Sequence, residues 1–84
     1  MKYFVYILEC SDKTLYTGCT NNVPARVQRH NQGRGARYTR ARLPVRILHS
    51  ETYRTLASAR KREAEIHRWP REKKFKLIQT KKTN

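Results

Sequence analysis

Eighty-four residues carry 20 Lys and Arg against 6 Asp and Glu, a formal net charge of +14. That length allows one small core, and 37% hydrophobic residues with three Gly and three Pro read as a folded domain, not a low-complexity chain. So positive a field draws polyanions, nucleic acid first; a membrane partner is excluded by the lack of an apolar stretch of about 20 residues or an amphipathic anchor.

The opening MKYFVYILEC has too short an apolar run for a secretory leader, and Glu9 interrupts it. A cytoplasmic protein with reduced Cys10 and Cys19 is expected. No C-x-x-C pair is present, and Cys10, Cys19, His30 and His49 have no zinc-site spacing.

Residues 3–9 mix aromatic and β-branched side chains and read as a strand; LYTGCT (15–20) is its return across the polar turn SDKT. A two-residue turn would set Tyr6 and Tyr16 on opposite faces. A three-residue turn at 12–14 pairs Cys10 with Tyr16 and Leu8 with Gly18, and both phenols then share a face.

Asn21 and Asn22 suit a helix N-cap and Pro24 its first turn, so a helix is expected over 23–31, ending near Gly33. Arg26 and His30 share one side of it, beside a buried stripe of Val23 and Val27. GRGARYTRARLP (33–44) reads as a basic loop. Its Arg34, Arg37, Arg40 and Arg42 would bind backbone phosphates without regard to sequence, and Tyr38 would touch substrate or stack on a base.

PVRILHSETY (44–53) alternates well enough for a third strand, Val45 and Ile47 against Arg46 and Leu48. Thr55 caps a second helix that runs to about Trp69, with Leu56, Ala59, Glu63 and Ile66 facing inward. Pro70 interrupts it, and a last turn or two over 70–78 buries Phe75 and Ile78. The domain then spans 1–78, and 79–84 reads as a disordered basic tail. The order β-β-α-β-α-α gives an α/β (α+β) class, a small three-stranded sheet flanked by helices.

Glu63 is the anomaly, a carboxylate on an apolar stripe. An unpaired buried charge costs several kcal/mol, so the group must be paired to an arginine, bound to a metal or at the edge of water. Hard ions such as Mg²⁺ or Mn²⁺ take oxygen donors, and one carboxylate with substrate phosphate and water suffices for Mg²⁺. Glu65 and Glu72 fall on polar faces, Glu9 and Glu51 on or beside strands. His49 and His67 belong to no constellation.

Tyr6, Tyr16, Arg26, His30 and Glu63 together supply what phosphodiester hydrolysis needs: a metal ligand, a cation for the phosphate and a base for water. FVYIL (4–8), LYTGCT (15–20), ARVQRHN (25–31), GARYTR (35–40), PVRILHSETY (44–53) and ARKREAEIHRW (59–69) together resemble the GIY-YIG nuclease superfamily, in its group of small single-domain bacterial proteins. The resemblance covers roughly residues 2–78. It implies an antiparallel three-stranded sheet and a one-metal site. Tyr6 and Tyr16 fall on the tyrosines of the two motif halves, Gly18 on the closing glycine and Arg26 on the arginine that steadies the scissile phosphate. His30 matches a histidine of several branches and Glu63 the metal-binding glutamate. Phe4-Val5-Tyr6 lacks the motif's first glycine, Tyr16-Thr17-Gly18 has Thr for Ile, and His67 stands where Lys is expected. The function implied is a Mg²⁺- or Mn²⁺-dependent DNA endonuclease, structure-selective or nonspecific; the alternative is a basic nucleic-acid-binding module that keeps the fold. The resemblance leaves open whether Tyr6 or His30 is the base.

Overall fold

The computed structural model describes residues 1–82. Strands β1 (Tyr3–Glu9), β2 (Leu15–Thr20) and β3 (Arg46–Tyr53) form an antiparallel sheet of order β2-β1-β3. Helices α1 (Val23–Asn31) and α2 (Arg37–Arg40) lie between β2 and β3 in the chain; α3 (Leu56–His67) and α4 (Arg71–Lys82) follow β3.

Central strand β1 is buried on both faces, which is why its apolar run is continuous. Val5 and Ile7 pack with Ala59, Ile66 and Ile78 in the layer of α3 and α4; Tyr6 and Leu8 pack with Cys10 and Val45, against Val23 and Val27 of α1. Full burial of an aliphatic side chain of this size stabilises by about 1.5–3 kcal/mol. So small a domain therefore rests on few positions, β1 foremost.

The hairpin turn has three residues, one place earlier than expected. Lys13 N–H donates to Cys10 O and Cys10 N–H to Thr14 O, at 3.0 and 2.9 Å, and Lys13 takes φ 70°. A type I turn closed by a left-handed residue matches strand twist, and Asp12 braces it by accepting from Thr14. The pairs are therefore Tyr6 with Gly18 and Leu8 with Tyr16, not Leu8 with Gly18. Both tyrosines still share a face.

Helix α1 has the expected bounds. Asn22 caps it by accepting from Ala25 N–H, and Gly33 and Arg34 N–H close it on His30 O and Arg29 O. The expected loop is partly helical: α2 buries Thr39 completely, and Val45 is held by both side-chain amide atoms of Asn31. A single helical turn carries no apolar periodicity, so its sequence reads as loop.

In β3 the alternation breaks at Leu48. Ile7 faces His49 while Leu8 faces Ile47, leaving Leu48 as the extra residue of a bulge. Ile47 is 42% exposed as a result, and Leu48 joins the α3–α4 core. Leu56, expected inside, is exposed at the start of α3. Phe75 is half-buried beneath Arg71. Helix α4 continues past 78 to Lys82, so the part of the expected tail at 83–84 alone lies outside the described residues.

His49, left without a role by the sequence, belongs to a polar network that ties β3 to α3. The Glu51 carboxylate accepts from His49 Nε2 (2.8 Å), Tyr53 Oη (2.7 Å) and Arg62 Nε (2.9 Å); Arg62 also bonds Glu65. Burial alone would raise the Glu51 carboxyl, but these bonds and the Arg62 charge hold it well below the usual carboxylate range. A depressed carboxyl contributes stability that is present above its ordinary pKa and is lost as pH falls. Glu51→Gln is expected to destabilise by about 2–3 kcal/mol in urea melts at pH 7, with a smaller difference at pH 3.

Candidate active site

A cleft of about 330 Å³ opens at the β2 edge, lined by Tyr6, Tyr16, Gly18, Arg26, Arg60 and Glu63 among others. Three layers meet here: the sheet supplies the tyrosines, α1 the arginine and α3 the carboxylate.

Gly18 sets the direction of the first tyrosine. Tyr6 lies beside it across the β1–β2 pair, and a Cβ at Gly18 would fall 2.5 Å from Tyr6 Cζ. The bare backbone lets the ring cross β2 and bring its hydroxyl to the cleft. Gly18→Ala is expected to cost about 1–3 kcal/mol by overpacking and to push the phenol out of place, measured by urea melts beside cleavage rates.

Behind Tyr6 stands His30, 1% exposed, its Nε2 3.1 Å from Tyr6 Oη. On the other side His30 Nδ1 lies 2.8 Å from Thr39 Oγ1, which donates to Ala36 O at 2.9 Å. Thr39 has a single proton, and a carbonyl can only accept. Thr39 Oγ1 must therefore accept from His30 Nδ1–H, so the neutral ring keeps its lone pair on Nε2 and Tyr6 donates to it. Gly35 permits this packing, since a Cβ there would sit 2.7 Å from His30 Cγ.

Burial, and then the Arg26 charge, pull the His30 pKa below its ordinary value. Burial foremost, then Tyr16, push Tyr6 up to about 12, against the opposing pull of Arg26. At neutral pH the pair is thus a phenol donating to an uncharged imidazole. Tyr16 is half-buried, its ring centroid 6.4 Å from Tyr6 and 5.3 Å from His30, and burial and the Glu63 charge raise its pKa too.

Glu63 faces the cleft half-buried, and among the described residues no ion pair or hydrogen bond engages its carboxylate. The expected alternative, an arginine partner, is not formed although Arg26 and Arg60 line the same cleft. No cluster of three or more His, Cys, Asp or Glu exists among the described residues. A divalent ion here would have one protein carboxylate, with phosphate and water completing its oxygen shell, and that donor set suits Mg²⁺ or Mn²⁺.

The five expected site residues Tyr6, Tyr16, Arg26, His30 and Glu63 thus converge, His30 in a second row behind Tyr6. The expected nucleic-acid contacts divide. Arg34 lies with Arg29 and Arg26 along α1. Arg37 and Arg40 are exposed on α2. Tyr38, 39% exposed, stacks on Tyr16 at 6.1 Å between centroids. Arg42 is engaged with Asp12 at 3.0 Å and lies 4.0 Å over the Tyr38 ring. Thr39 was missed, because nothing sets a threonine apart within a run of arginines.

A three-stranded antiparallel sheet that presents this constellation at one edge defines the class. The chain belongs to the GIY-YIG catalytic domain family, which matches residues 2–76. A UPF0213 protein of Staphylococcus epidermidis is 51% identical over 78 residues, 93% of this chain and 95% of the relative. The solution NMR structure of a UPF0213 protein from Bacillus halodurans superimposes with a TM-score of 0.63 at 40% identity, over 96% of this chain and 86% of that one. A second solution NMR structure, of a protein from E. faecalis, gives 0.67 at 32% identity, over 100% and 90% of the two chains.

Proposed function

We propose that this protein is a metal-dependent endonuclease that hydrolyses DNA phosphodiester bonds, structure-selectively or without sequence preference, in the cytoplasm and in the service of repair or recombination. The observation that carries the reading is the unpaired Glu63 carboxylate facing Tyr6, Tyr16 and Arg26 in one cleft. A net charge of +14 and the absence, among the described residues, of a helix long and apolar enough to cross a membrane accord with it.

In this reading Glu63 holds Mg²⁺ or Mn²⁺, which when bound would polarise the phosphate and stabilise the leaving oxygen. Arg26 positions the scissile phosphate and offsets its charge. Tyr6 is the base that meets water: both rings are 1% exposed, but Tyr6 lines the cleft beside Glu63 and Arg26 and His30 does not. Its phenol, pushed up to about 12, holds its proton at neutral pH. It accepts from water only as it passes its own proton to His30 Nε2. Thr39 keeps the other ring nitrogen protonated, so that Nε2 is free to accept. Tyr16 forms the wall that orients water. Arg34, Arg37 and Arg40 meet backbone phosphates, and Arg42 holds Tyr38 at the substrate's edge.

The sign of the pH dependence follows. His30 must be uncharged, and its pKa is lowered, so kcat/KM should fall only as pH drops below about 6.5. Tyr6 imposes no alkaline limb below about 10. An acid limb centred above 6.5 would exclude His30 as the acceptor.

The direct test is incubation with labelled linear, nicked, flapped and branched DNA, with Mg²⁺ or Mn²⁺ against EDTA. Metal-dependent cutting is expected. Salt-sensitive binding with no cutting in any metal would instead make the protein a nucleic-acid-binding module.

A further inference from the structure

A second concavity, about 320 Å³, runs along the outer side of α1 and is lined by Asn22, Arg26, Arg29, Gln32 and Arg34 among others. Arg26 lines this groove and the catalytic cleft alike, so the two adjoin at its side chain. We propose that the groove binds the phosphate flanking the scissile one, through Arg29 and Arg34, so that the nucleic-acid strand enters the site along α1. The proposal rests on the nuclease reading for its register, and on charge and shape for the contact itself.

Three observations support it. Arg29 Nε–H donates to Arg34 O at 3.1 Å, which fixes the guanidinium and leaves both Nη groups for a ligand. It also couples the two arginines, since the carbonyl that anchors one belongs to the other.

The acids are elsewhere. Asp12 pairs with Arg42, Glu9 with Arg46, and Glu51 and Glu65 with Arg62, while Glu63 faces the catalytic cleft and Glu72 lies in the first turn of α4. Among the described residues, no carboxylate lines the groove. Ion pairs neutralise arginines at the hairpin turn, at β3 and on α3, whereas Arg26, Arg29 and Arg34 have no carboxylate partner among the described residues, so their charge is free to draw an anion into the groove.

The spacing on the helix also fits. Arg26 and Arg29 are three apart and project from adjacent turns of one side, and the closing turn brings Arg34 back over Arg29. An extended polyanion that puts one phosphate on Arg26 therefore meets two further guanidinium groups as it leaves the cleft. Both would grip phosphate, which positions a strand without reading its sequence.

The test measures binding of a labelled oligonucleotide, single-stranded and duplex, by fluorescence anisotropy in EDTA, from low to high salt. Arg29→Ala/Arg34→Ala should weaken binding and reduce the slope of log K against log salt by about one for each phosphate no longer neutralised. Arg29→Lys/Arg34→Lys, which keeps the charge, should restore most of the slope. Arg37→Ala/Arg40→Ala should change it less than the α1 pair does. Circular dichroism melts confirm that the variants fold.

An unchanged slope in the folded alanine pair would overturn the groove, and so would a larger loss in the Arg37/Arg40 pair. The outcomes separate from those of the nuclease reading. A wild type that shows the α1-dependent slope but cuts no DNA with metal refutes the nuclease and leaves the groove. One that cuts DNA while the alanine pair binds like wild type refutes the groove alone.

Discussion

Glu63→Gln should abolish metal-dependent cleavage, a loss of about 10³-fold or more, while DNA binding persists or tightens. Losing one preorganised charge at a phosphoryl site has consequences of this order. The amide keeps the shape of the carboxylate but replaces one accepting oxygen with a donating NH2 and removes the charge a divalent ion needs. It also removes a negative charge from the path of a polyanion, hence the tighter binding. Stability should change by no more than about 0.5 kcal/mol, because Glu63 engages no ion pair or hydrogen bond among the described residues. A variant that unfolds easily but still cuts would assign Glu63 to the scaffold. Parallel cleavage assays, binding isotherms in EDTA and melts separate the two.

Tyr6→Phe should lower kcat by about 10²–10⁴-fold with little change in DNA affinity, the usual contribution of a positioned acid–base group. Phe keeps the ring over Gly18 and loses the hydroxyl that bonds His30 and that, in the proposed relay, would take the proton from water. Thr39→Val probes the same relay from its far end. It leaves His30 Nδ1–H buried without an acceptor, so the ring shifts towards the tautomer that protonates Nε2 and blocks transfer from Tyr6. Rates should fall by about tenfold and the acid limb of the pH profile should move, whereas Thr39→Ser, which keeps the hydroxyl, should restore both. A merely structural Thr39 would leave the pH profile where it is. Nitrogen NMR of the His30 ring reads the tautomer without any need for activity.

How far such residues were legible in the sequence depended on whether their pattern had a period. Glu63 stood out because a carboxylate broke an apolar helical stripe, and that stripe does point at the sheet through Ala59 and Ile66. The tyrosine pair was legible through strand alternation, although the turn was placed one residue late. The turn closes at Lys13, whose left-handed conformation a lysine does not advertise. Helical spacing put Arg26 and His30 on one side of α1 and the family resemblance gave them their roles, but neither revealed that His30 would be sealed behind Tyr6.

What escaped notice had no period, or had one that was passed over. Thr39 sits in one helical turn between arginines, and only its burial against His30 distinguishes it. His49, Glu51 and Tyr53 did alternate on one strand face, a signal that could have exposed the Glu51 network, but Arg62 completes it from a distant helix. The split of the basic residues was illegible for the same reason. Arg42 is engaged by Asp12 thirty residues away, whereas Arg29 and Arg34 meet only because α1 closes back on itself.

The measurement closest to the central claim is Mn²⁺ binding, followed by electron paramagnetic resonance, to the wild type and to Glu63→Gln, each with a non-cleavable phosphorothioate DNA. One ion bound per wild-type chain in the presence of DNA, and none bound by the variant, is the result expected of a one-carboxylate site completed by phosphate. Equal binding by both proteins, or none by the wild type while its DNA binding is intact, would contradict Glu63 as the metal ligand and with it the nuclease built around that residue.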